Sequence, residues 1–230
     1  MYTPRERCYS SAAVNFFAHA TVALWRSSEP RFLLGAMLPD LTSMIGVRLH
    51  GASDAELAAG IDFHHETDAA FHAAPIFLAL CAEGITAMGA AGVGRGTARA
   101  VAHVGTELLL DGALSRQSDA RRAYSRTLEL AARERWVDAL KLEGAETEQR
   151  LHEGLVRLSG APLPEGYREP QFVVARLRTI LARRPRLAMQ PDDLASVSSF
   201  IHACQHQVSN RWPELLDQVR SGLQAAHALP

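Results

Sequence analysis

The chain has 230 residues, 47% of them hydrophobic, so it can bury a sizeable core as one large domain or two small ones. A formal net charge of -1 at pH 7 argues against nucleic-acid binding through bulk electrostatics. The few, widely spaced cysteines (Cys8, Cys81 and Cys204) indicate a reducing compartment without a disulfide framework. No apolar run approaches the roughly 18–20 residues of a membrane span, and Asn15 and His19 make the first apolar segment a poor signal peptide. We therefore expect a soluble cytoplasmic protein.

The first two helices are predicted from apolar runs with few polar interruptions. Residues 12–26 form a nearly buried helix, in which Asn15 and His19 are the only strongly polar interior positions. Taken alone, His19 is read most simply as a core histidine hydrogen bonded to the backbone. A second helix begins at Pro30, since proline is favoured in the first helical turn. It reaches Asp40, which either caps the next turn or faces a buried partner.

The next helix carries a regularly spaced polar face. It follows a predicted loop at residues 43–52, where His50 is either an exposed histidine or a ligand, and it begins at a Ser-Asp-Ala-Glu capping box. His64, Asp68 and His72 then recur every four residues. Four residues advance about 400° around a helix, so the three side chains stack along one face as imidazole, carboxylate and imidazole.

A later helix, at residues 96–114, repeats this spacing with His103, Glu107 and Asp111. Arg99 lies one turn earlier, and the surrounding leucines and valines predict that this helix is largely buried. A buried carboxylate without a partner is costly, and a metal ion or the Arg99 guanidinium would offset that cost. The alternative is a solvated amphipathic face, but we favour a metal site where the two polar faces meet.

The remainder of the chain is predicted to be helical and to lie outside this site. Helical patterns cover residues 117–161, 171–184, 191–208 and 212–228. His202 and His206 are four residues apart without an acidic neighbour on that face, so we expect them to be structural or exposed. We find no strand pattern, tandem repeat or dividing linker. The predicted fold is therefore all-α, a single-domain helical bundle over residues 1–230 with its metal site between the N-terminal helices.

Several short motifs follow one another in order along the chain. They are Asn15-Phe16-Phe17-Ala18-His19, Leu34-Gly35-Ala36-Met37-Leu38-Pro39-Asp40, Gly60-Ile61-x-x-His64-x-x-x-Asp68 and an acidic stripe ending in Asp111. Together with residues 183–187 and 211–216, they resemble the acyl-carrier-protein phosphodiesterase family over nearly the whole chain. The resemblance implies an all-α, HD-like metal phosphohydrolase that releases phosphopantetheine from a carrier-protein serine with a divalent cation such as manganese. His103 and Glu107 depart from that family, which has an Asp-x-x-x-Asp-His run there.

A second resemblance comes from the order of histidines and carboxylates. They stand in the order His19, Asp40, His50, His64, Asp68, His72, His103 and Glu107. This order resembles that of the zinc-dependent phospholipase C family and of the fungal single-strand nucleases that share its fold. It implies two metals bridged by an Asp of the central helix, and Asp68 is the matching position. That family also uses a mature N-terminal Trp, whereas this chain begins Met1-Tyr2.

The ligand types suggest the chemistry. Imidazole and carboxylate ligands without thiolates suit zinc, manganese or iron. Two divalent ions about 3.5–4 Å apart would bind phosphate oxygens and lower the pKa of a bridging water, whose hydroxide attacks phosphorus in line with the leaving alkoxide. Asp40 or Glu107 would hold a metal or orient the water, and Arg99 would offset charge on the phosphoryl group. We therefore expect a metal-dependent phosphoric diester hydrolase acting on a carrier protein, a phospholipid or another phosphodiester.

The expected site residues form two overlapping sets. The metal ligands are His19, Asp40, His50, His64, Asp68, His72, His103 and Glu107. The catalytic residues are Asp40, Asp68, Glu107 and Arg99. About two divalent ions are expected, with Asp68 as the ligand between them. The alternative function is a non-catalytic helical scaffold with structural histidines, or a metal-binding protein without an open coordination position.

Overall fold

The prediction of an all-α bundle is confirmed. The computed structural model describes residues 15–144 and 146–228, so the predictions for residues 12–14 and for Cys8 lie outside the described residues. Within these ranges the chain forms nine α-helices and one two-stranded antiparallel sheet. The elements are α1 (Phe16–Ala23), α2 (Pro30–Ile45), β1 (Arg48–Ala52), α3 (Ala55–His72), α4 (Pro75–Ala90), α5 (Arg95–Leu114), α6 (Ser118–Glu134), β2 (Leu140–Glu143), α7 (Thr147–Ser159), α8 (Pro170–Leu181) and α9 (Leu194–Ala228).

Helix α5 is a central packing element of the bundle. It contacts α1, α4, α8 and α9, and every residue from Val104 to Gly112 is buried. That buried stretch includes two carboxylates, Glu107 and Asp111. The prediction that the second polar face lies on a largely buried helix is therefore confirmed, and both carboxylates require partners inside the protein.

Helices α2 and α3 cross at two glycines. A Cβ atom on Gly35 would lie 2.4 Å from the carbonyl oxygen of Leu57, and one on Gly60 would lie 2.2 Å from the carbonyl oxygen of Phe32. A side chain at either position would force the helices apart, so glycine is what allows them to approach this closely. The crossing brings the backbone of α2 against the α3 face that carries His64.

Helix α2 extends further than the sequence suggested. It passes through Pro39 and Asp40 and ends where Gly46 adopts a positive φ of 70°. Asp40 therefore lies inside a helix and does not cap its end. Of the two interpretations of Asp40, the partly buried carboxylate that faces another side chain is the one the structure shows.

The sequence analysis missed both strands. β1 pairs antiparallel with β2, with Arg48 opposite Glu143 and a register irregularity between Leu49 and Ala52. The first strand was predicted as a loop and the second as part of a charged helical region. Both are short, and their hydrogen bonds join segments about ninety residues apart, which local periodicity cannot reveal. The sheet carries His50, whose side chain is exposed.

Helices α3 and α4 are joined at a bend of 59°. Among the described residues, no single helix is long and apolar enough to cross a membrane, although this bent pair passes the same test of length and composition when taken together. The bend places Phe77 of α4 beside His72 at the end of α3, with ring centroids 5.2 Å apart. The bend therefore contributes an apolar wall to one of the polar clusters described next.

Candidate metal centre

Three helices each supply one side chain to a cluster that we call the buried group: His19 from α1, Asp40 from α2 and His64 from α3. His19 Nε2 is 3.2 Å from Asp40 Oδ2, and His64 Nε2 is 4.0 Å from Asp40 Oδ1. The imidazole rings of His19 and His64 lie 4.2 Å apart between centroids. Both histidines are buried and Asp40 is largely buried, so two imidazoles and a carboxylate converge inside the protein.

The closest contact in the buried group is poorly directed for a hydrogen bond. His19 Nε2 and Asp40 Oδ2 are 3.2 Å apart, yet neither buried atom has a hydrogen-bond partner of acceptable geometry among the described residues. Buried polar atoms normally have such a partner. The interpretation of His19 as a core histidine bonded to the backbone therefore does not account for Nε2. Two unsatisfied ligand atoms side by side are the arrangement that a cation would satisfy.

The ring of His64 is held in an orientation that suits metal binding. Its Nδ1 donates a hydrogen bond of 2.9 Å to the carbonyl oxygen of Ala36 on α2. Because the proton is on Nδ1, Nε2 presents a lone pair to Asp40 and His19. Burial, followed by the nearby charge of His19, lowers the pKa of His64 to about 4. A neutral imidazole fixed through a backbone carbonyl is the usual form of a metal-binding histidine.

The charges around His19 act in the opposite direction. Burial lowers its pKa, but the adjacent Asp40 carboxylate and the more distant charges of Asp68 and Glu107 outweigh that effect, and the net shift is upward. The negative charges of α2, α3 and α5 therefore all favour a cation at this position. A metal ion at this position would compete with a proton for Nε2 of His19.

A second cluster, which we call the open group, joins α3 to α5 through His72, His103 and Glu107. His72 Nε2 is 3.1 Å from His103 Nε2 and 3.4 Å from Glu107 Oε1, and His103 Nε2 is 3.0 Å from the same oxygen. The side chains of His72 and His103 are 31% and 33% exposed, whereas that of Glu107 is 2% exposed. The predicted meeting of the two polar faces is thus observed at this end of α3.

Hydrogen bonds can give each atom of the open group a partner, but they leave one close contact unexplained. Glu107 Oε1 can accept from both imidazoles, and the two Nε2 atoms, 3.1 Å apart, then face each other as two donors. A metal ion would avoid that contact between donors, because all three atoms would present lone pairs to the same cation.

The spacing of these atoms also fits a shared ion. Ligand atoms about 2.0–2.2 Å from one cation lie roughly 2.8–3.1 Å apart at octahedral angles and 3.3–3.6 Å apart at tetrahedral angles. The separations of 3.0, 3.1 and 3.4 Å in the open group fall in or between these ranges. The two nitrogens and one oxygen are compatible with zinc, manganese or iron and do not select among them.

Asp68 lies between the two groups but belongs to neither. Its Oδ2 is 3.3 Å from Nδ1 of His72, on the side of the ring opposite the Nε2 that faces Glu107, and its side chain is 41% exposed. Burial raises the pKa of Asp68, but the contact with His72 and the charges of His72, His19 and His64 outweigh it, and the pKa is lowered. The expectation that Asp68 is the ligand between two metals is therefore not what this geometry shows. The carboxylate instead lies beside Nδ1, where it can orient the His72 ring.

Two other expected site residues are not brought to either group. His50 lies on β1, where its exposed ring is 3.3 Å from Glu143 of β2, so its position on the sheet separates it from the expected ligand set. Arg99 is exposed and has no ion pair or hydrogen bond with any described residue, so it does not neutralise Glu107. The partners of Glu107 are the histidines of the open group.

His202 and His206 are exposed and lie outside both groups, as expected.

Asp111 has a role that sequence reasoning left open. Its Oδ1 accepts a 2.7 Å hydrogen bond from the backbone N–H of Ala18 in the first turn of α1, where Asn15 gives no side-chain cap. Burial raises the pKa of Asp111 well above its ordinary value. The carboxylate from α5 therefore caps α1 and fixes the helix that carries His19. The four-residue spacing from Glu107 placed Asp111 on the polar face of α5, but it did not predict that Asp111 caps another helix.

Phe77 is a site residue that the sequence analysis did not identify. Its ring meets that of His103 edge-on, with centroids 5.2 Å apart, and lies at the same distance from His72. Aromatic packing of this kind restricts both imidazoles and keeps water from one side of them. An apolar residue two positions after a helix-starting proline carries no sequence signal for such a role.

Comparisons with protein-family models, with curated proteins and with solved structures found no match to this chain. The functional argument therefore depends on the side chains themselves. Two facts carry it: three helices converge on the buried group, and α3 and α5 present three ligand atoms within 3.4 Å of one another in the open group. Together these are two candidate sites for divalent cations.

Proposed function

We propose that this protein binds two divalent cations and uses them to hydrolyse a phosphodiester. The observation that carries the metal assignment is the triangle formed by His72 Nε2, His103 Nε2 and Glu107 Oε1, with sides of 3.0, 3.1 and 3.4 Å. The buried group supplies a second set of two imidazoles and one carboxylate. The donor atoms fit zinc, manganese or iron, since none of them is a thiolate.

The two groups differ in accessibility, which supports different roles. The histidines of the open group are about one-third exposed, so a ligand from solvent can approach that cation. The buried group is largely closed by protein. Divalent cations supply Lewis acidity and lower the pKa of coordinated water when bound. This chain's residues hold the cations, orient the rings through Ala36 and Asp68, and limit water beside Phe77.

The reaction class draws on the resemblances in motif order and ligand order. The first supports a carrier-protein phosphodiester as substrate. The second supports a phospholipid or another small phosphodiester. In both families, histidines and carboxylates on packed helices hold the cations, as the two groups described above could do. The competing proposal is a metal-binding helical protein without catalysis. The buried group supports it for its own cation, because the surrounding protein leaves little room for a substrate there.

The first experiment measures metal in native protein purified without added metal. We expect about two equivalents of divalent transition metal in total, with His64→Gln and His103→Gln each losing about one. His202→Gln is the matched control, because this exposed histidine lies on a helix outside both groups. Less than about half an equivalent in the unmodified protein would overturn the metal assignment.

The second experiment measures turnover on a generic aryl phosphodiester, then on holo carrier protein, and then on phospholipid vesicles. We expect hydrolysis that chelation abolishes and the missing metal restores, and that His103→Gln lowers by at least about a hundredfold. His202→Gln should retain the unmodified rate. Two bound cations without turnover of any of the three substrates would favour the non-catalytic alternative.

A further inference from the structure

We infer that Glu107, and not Asp68, is the carboxylate that links the two cation sites, with Oε1 in the open group and Oε2 serving the buried group. This inference rests on the proposed binding of two cations and specifies how they are connected. Its basis is the position of Glu107 on α5, the burial of both its oxygens and the partners of each oxygen. It makes Glu107 a shared ligand whose loss affects both sites.

The two carboxylate oxygens of Glu107 have different surroundings. Oε1 contacts His103 Nε2 at 3.0 Å and His72 Nε2 at 3.4 Å. Oε2 is buried and has no hydrogen-bond partner among the described residues. Leaving a buried carboxylate oxygen without a partner is costly, so we infer that a bound cation is the partner of Oε2. Oε1 already faces the open group, which leaves Oε2 for a second cation.

The helix packing brings α1 to the same face of α5. Asp111 lies one turn after Glu107 and accepts the backbone N–H of Ala18, which immediately precedes His19. This hydrogen bond therefore attaches α1 to α5 at Ala18, the residue just before His19 of the buried group. Glu107 therefore lies one helical turn from the residue that fixes α1, on the helix that also supplies the open group.

Asp68 is the alternative link, and its contacts argue against it. Its Oδ2 faces Nδ1 of His72, while the other nitrogen of that ring faces the open group. Its side chain is 41% exposed, so solvent can satisfy its remaining lone pairs. Neither of its oxygens is among the buried atoms without a partner, whereas Glu107 Oε2 is. Asp68 consequently orients a ligand, and Glu107 supplies one oxygen to each site.

The decisive test compares His103→Gln with Glu107→Gln. His103 belongs only to the open group, so its replacement should remove the cation of that group while the buried group keeps its own cation and all of its ligands. Glu107→Gln keeps the side-chain size but removes the negative charge. It should weaken both cations, each by at least about tenfold in a chelator-competition titration. If Glu107→Gln loses one cation and retains the other with unmodified affinity, the inference is overturned.

A second measurement needs no variant and so does not depend on the folding of Glu107→Gln. In the dimanganese form of the unmodified protein, a carboxylate bridge should produce an exchange-coupled electron paramagnetic resonance spectrum. Two bound manganese ions that give only the spectrum of isolated ions would overturn the inference. Circular dichroism of Glu107→Gln at matched concentration establishes that any loss of metal is local.

The two levels of the proposal fail in different ways. If the unmodified protein binds no cation, the proposed function fails and the link fails with it. If it binds two cations that are uncoupled, or that respond independently to Glu107→Gln, the metal assignment stands and only the link is wrong. A coupled pair that Glu107→Gln weakens at both sites supports the link.

Discussion

Gly35 and Gly60 face each other at the crossing of α2 and α3, so closely that a Cβ atom on Gly35 would lie 2.8 Å from the Cα of Gly60. This approach places the carbonyl oxygen of Ala36 within 2.9 Å of His64 Nδ1. The backbone contact therefore determines which nitrogen of His64 faces Asp40. Gly35 and Gly60 therefore determine, through the helix crossing, which nitrogen of His64 is available to a metal.

Gly60→Ala should separate the two helices, because the added methyl group would meet the backbone oxygen of Phe32 at 2.2 Å. We expect the free energy of unfolding in denaturant to fall by about 1–3 kcal/mol, the range typical of overpacking. The variant should also bind the cation of the buried group more weakly. Gly89→Ala is the matched control, because it lies in α4 with nothing within 4 Å of the added atom. Equal stabilities for the two variants would contradict the close-crossing argument.

Asp68→Ala should weaken the cation of the open group by about ten- to a hundredfold, the range seen when a carboxylate that orients a ligating histidine is lost. Asp68→Asn should have a smaller effect, because its amide oxygen can still accept from Nδ1 of His72. Chelator-competition titrations of both variants measure this. The expectation from the sequence that Asp68 joins two metals instead predicts that the Ala variant loses metal and all hydrolysis and that the Asn variant loses most activity, and that result would favour Asp68 as the link.

The metal-free protein should lose stability as the pH falls from about 6.5 to about 4, in part because of His64. Its pKa in the folded state is lowered from 6.5 to about 4, so the unfolded state binds more protons across that interval. The full difference corresponds to about 3 kcal/mol in the free energy of unfolding. Denaturant titrations of chelated protein at several pH values measure it.

The matched pair for that experiment is His64→Gln and His65→Gln, which change a buried histidine and its exposed neighbour. His64→Gln should flatten the loss of stability between these pH values, whereas His65→Gln should leave its slope as in the unmodified protein. If both variants keep the same slope, His64 is not the group responsible.

Removing the cations should lower the melting temperature. A ligand at about a hundred times its dissociation constant stabilises the folded state by about 2.7 kcal/mol. For a chain of this size, that corresponds to a shift of roughly 5–10 °C. Scanning calorimetry with and without chelator measures the shift, and the double variant His202→Gln and His206→Gln should show the same one. If the melting temperature of the unmodified protein is the same with and without chelator, cation binding at these two sites does not stabilise the fold.

The sequence was sufficient to identify the helices that carry the candidate site. Four-residue spacing placed His64 and His72 on one face of α3 and His103 and Glu107 on one face of α5, because the helical repeat alone fixes which side chains share a face. The apolar residues around the second face also predicted its burial correctly. The same local reasoning missed the short strands and ended α2 too early, since neither feature depends on nearby residues alone.

The sequence alone determined the helical fold class, the polar faces and the types of ligand available. Only the tertiary structure decided that these residues divide into two groups, that Asp68 faces Nδ1 of His72, and that Asp111 caps α1. Helical periodicity specifies the direction of a side chain relative to its own axis, whereas a contact between helices depends on crossing angle and separation. Here the glycine crossing of α2 with α3 and the attachment of α1 to α5 set those quantities, because each brings backbone atoms together from distant parts of the chain.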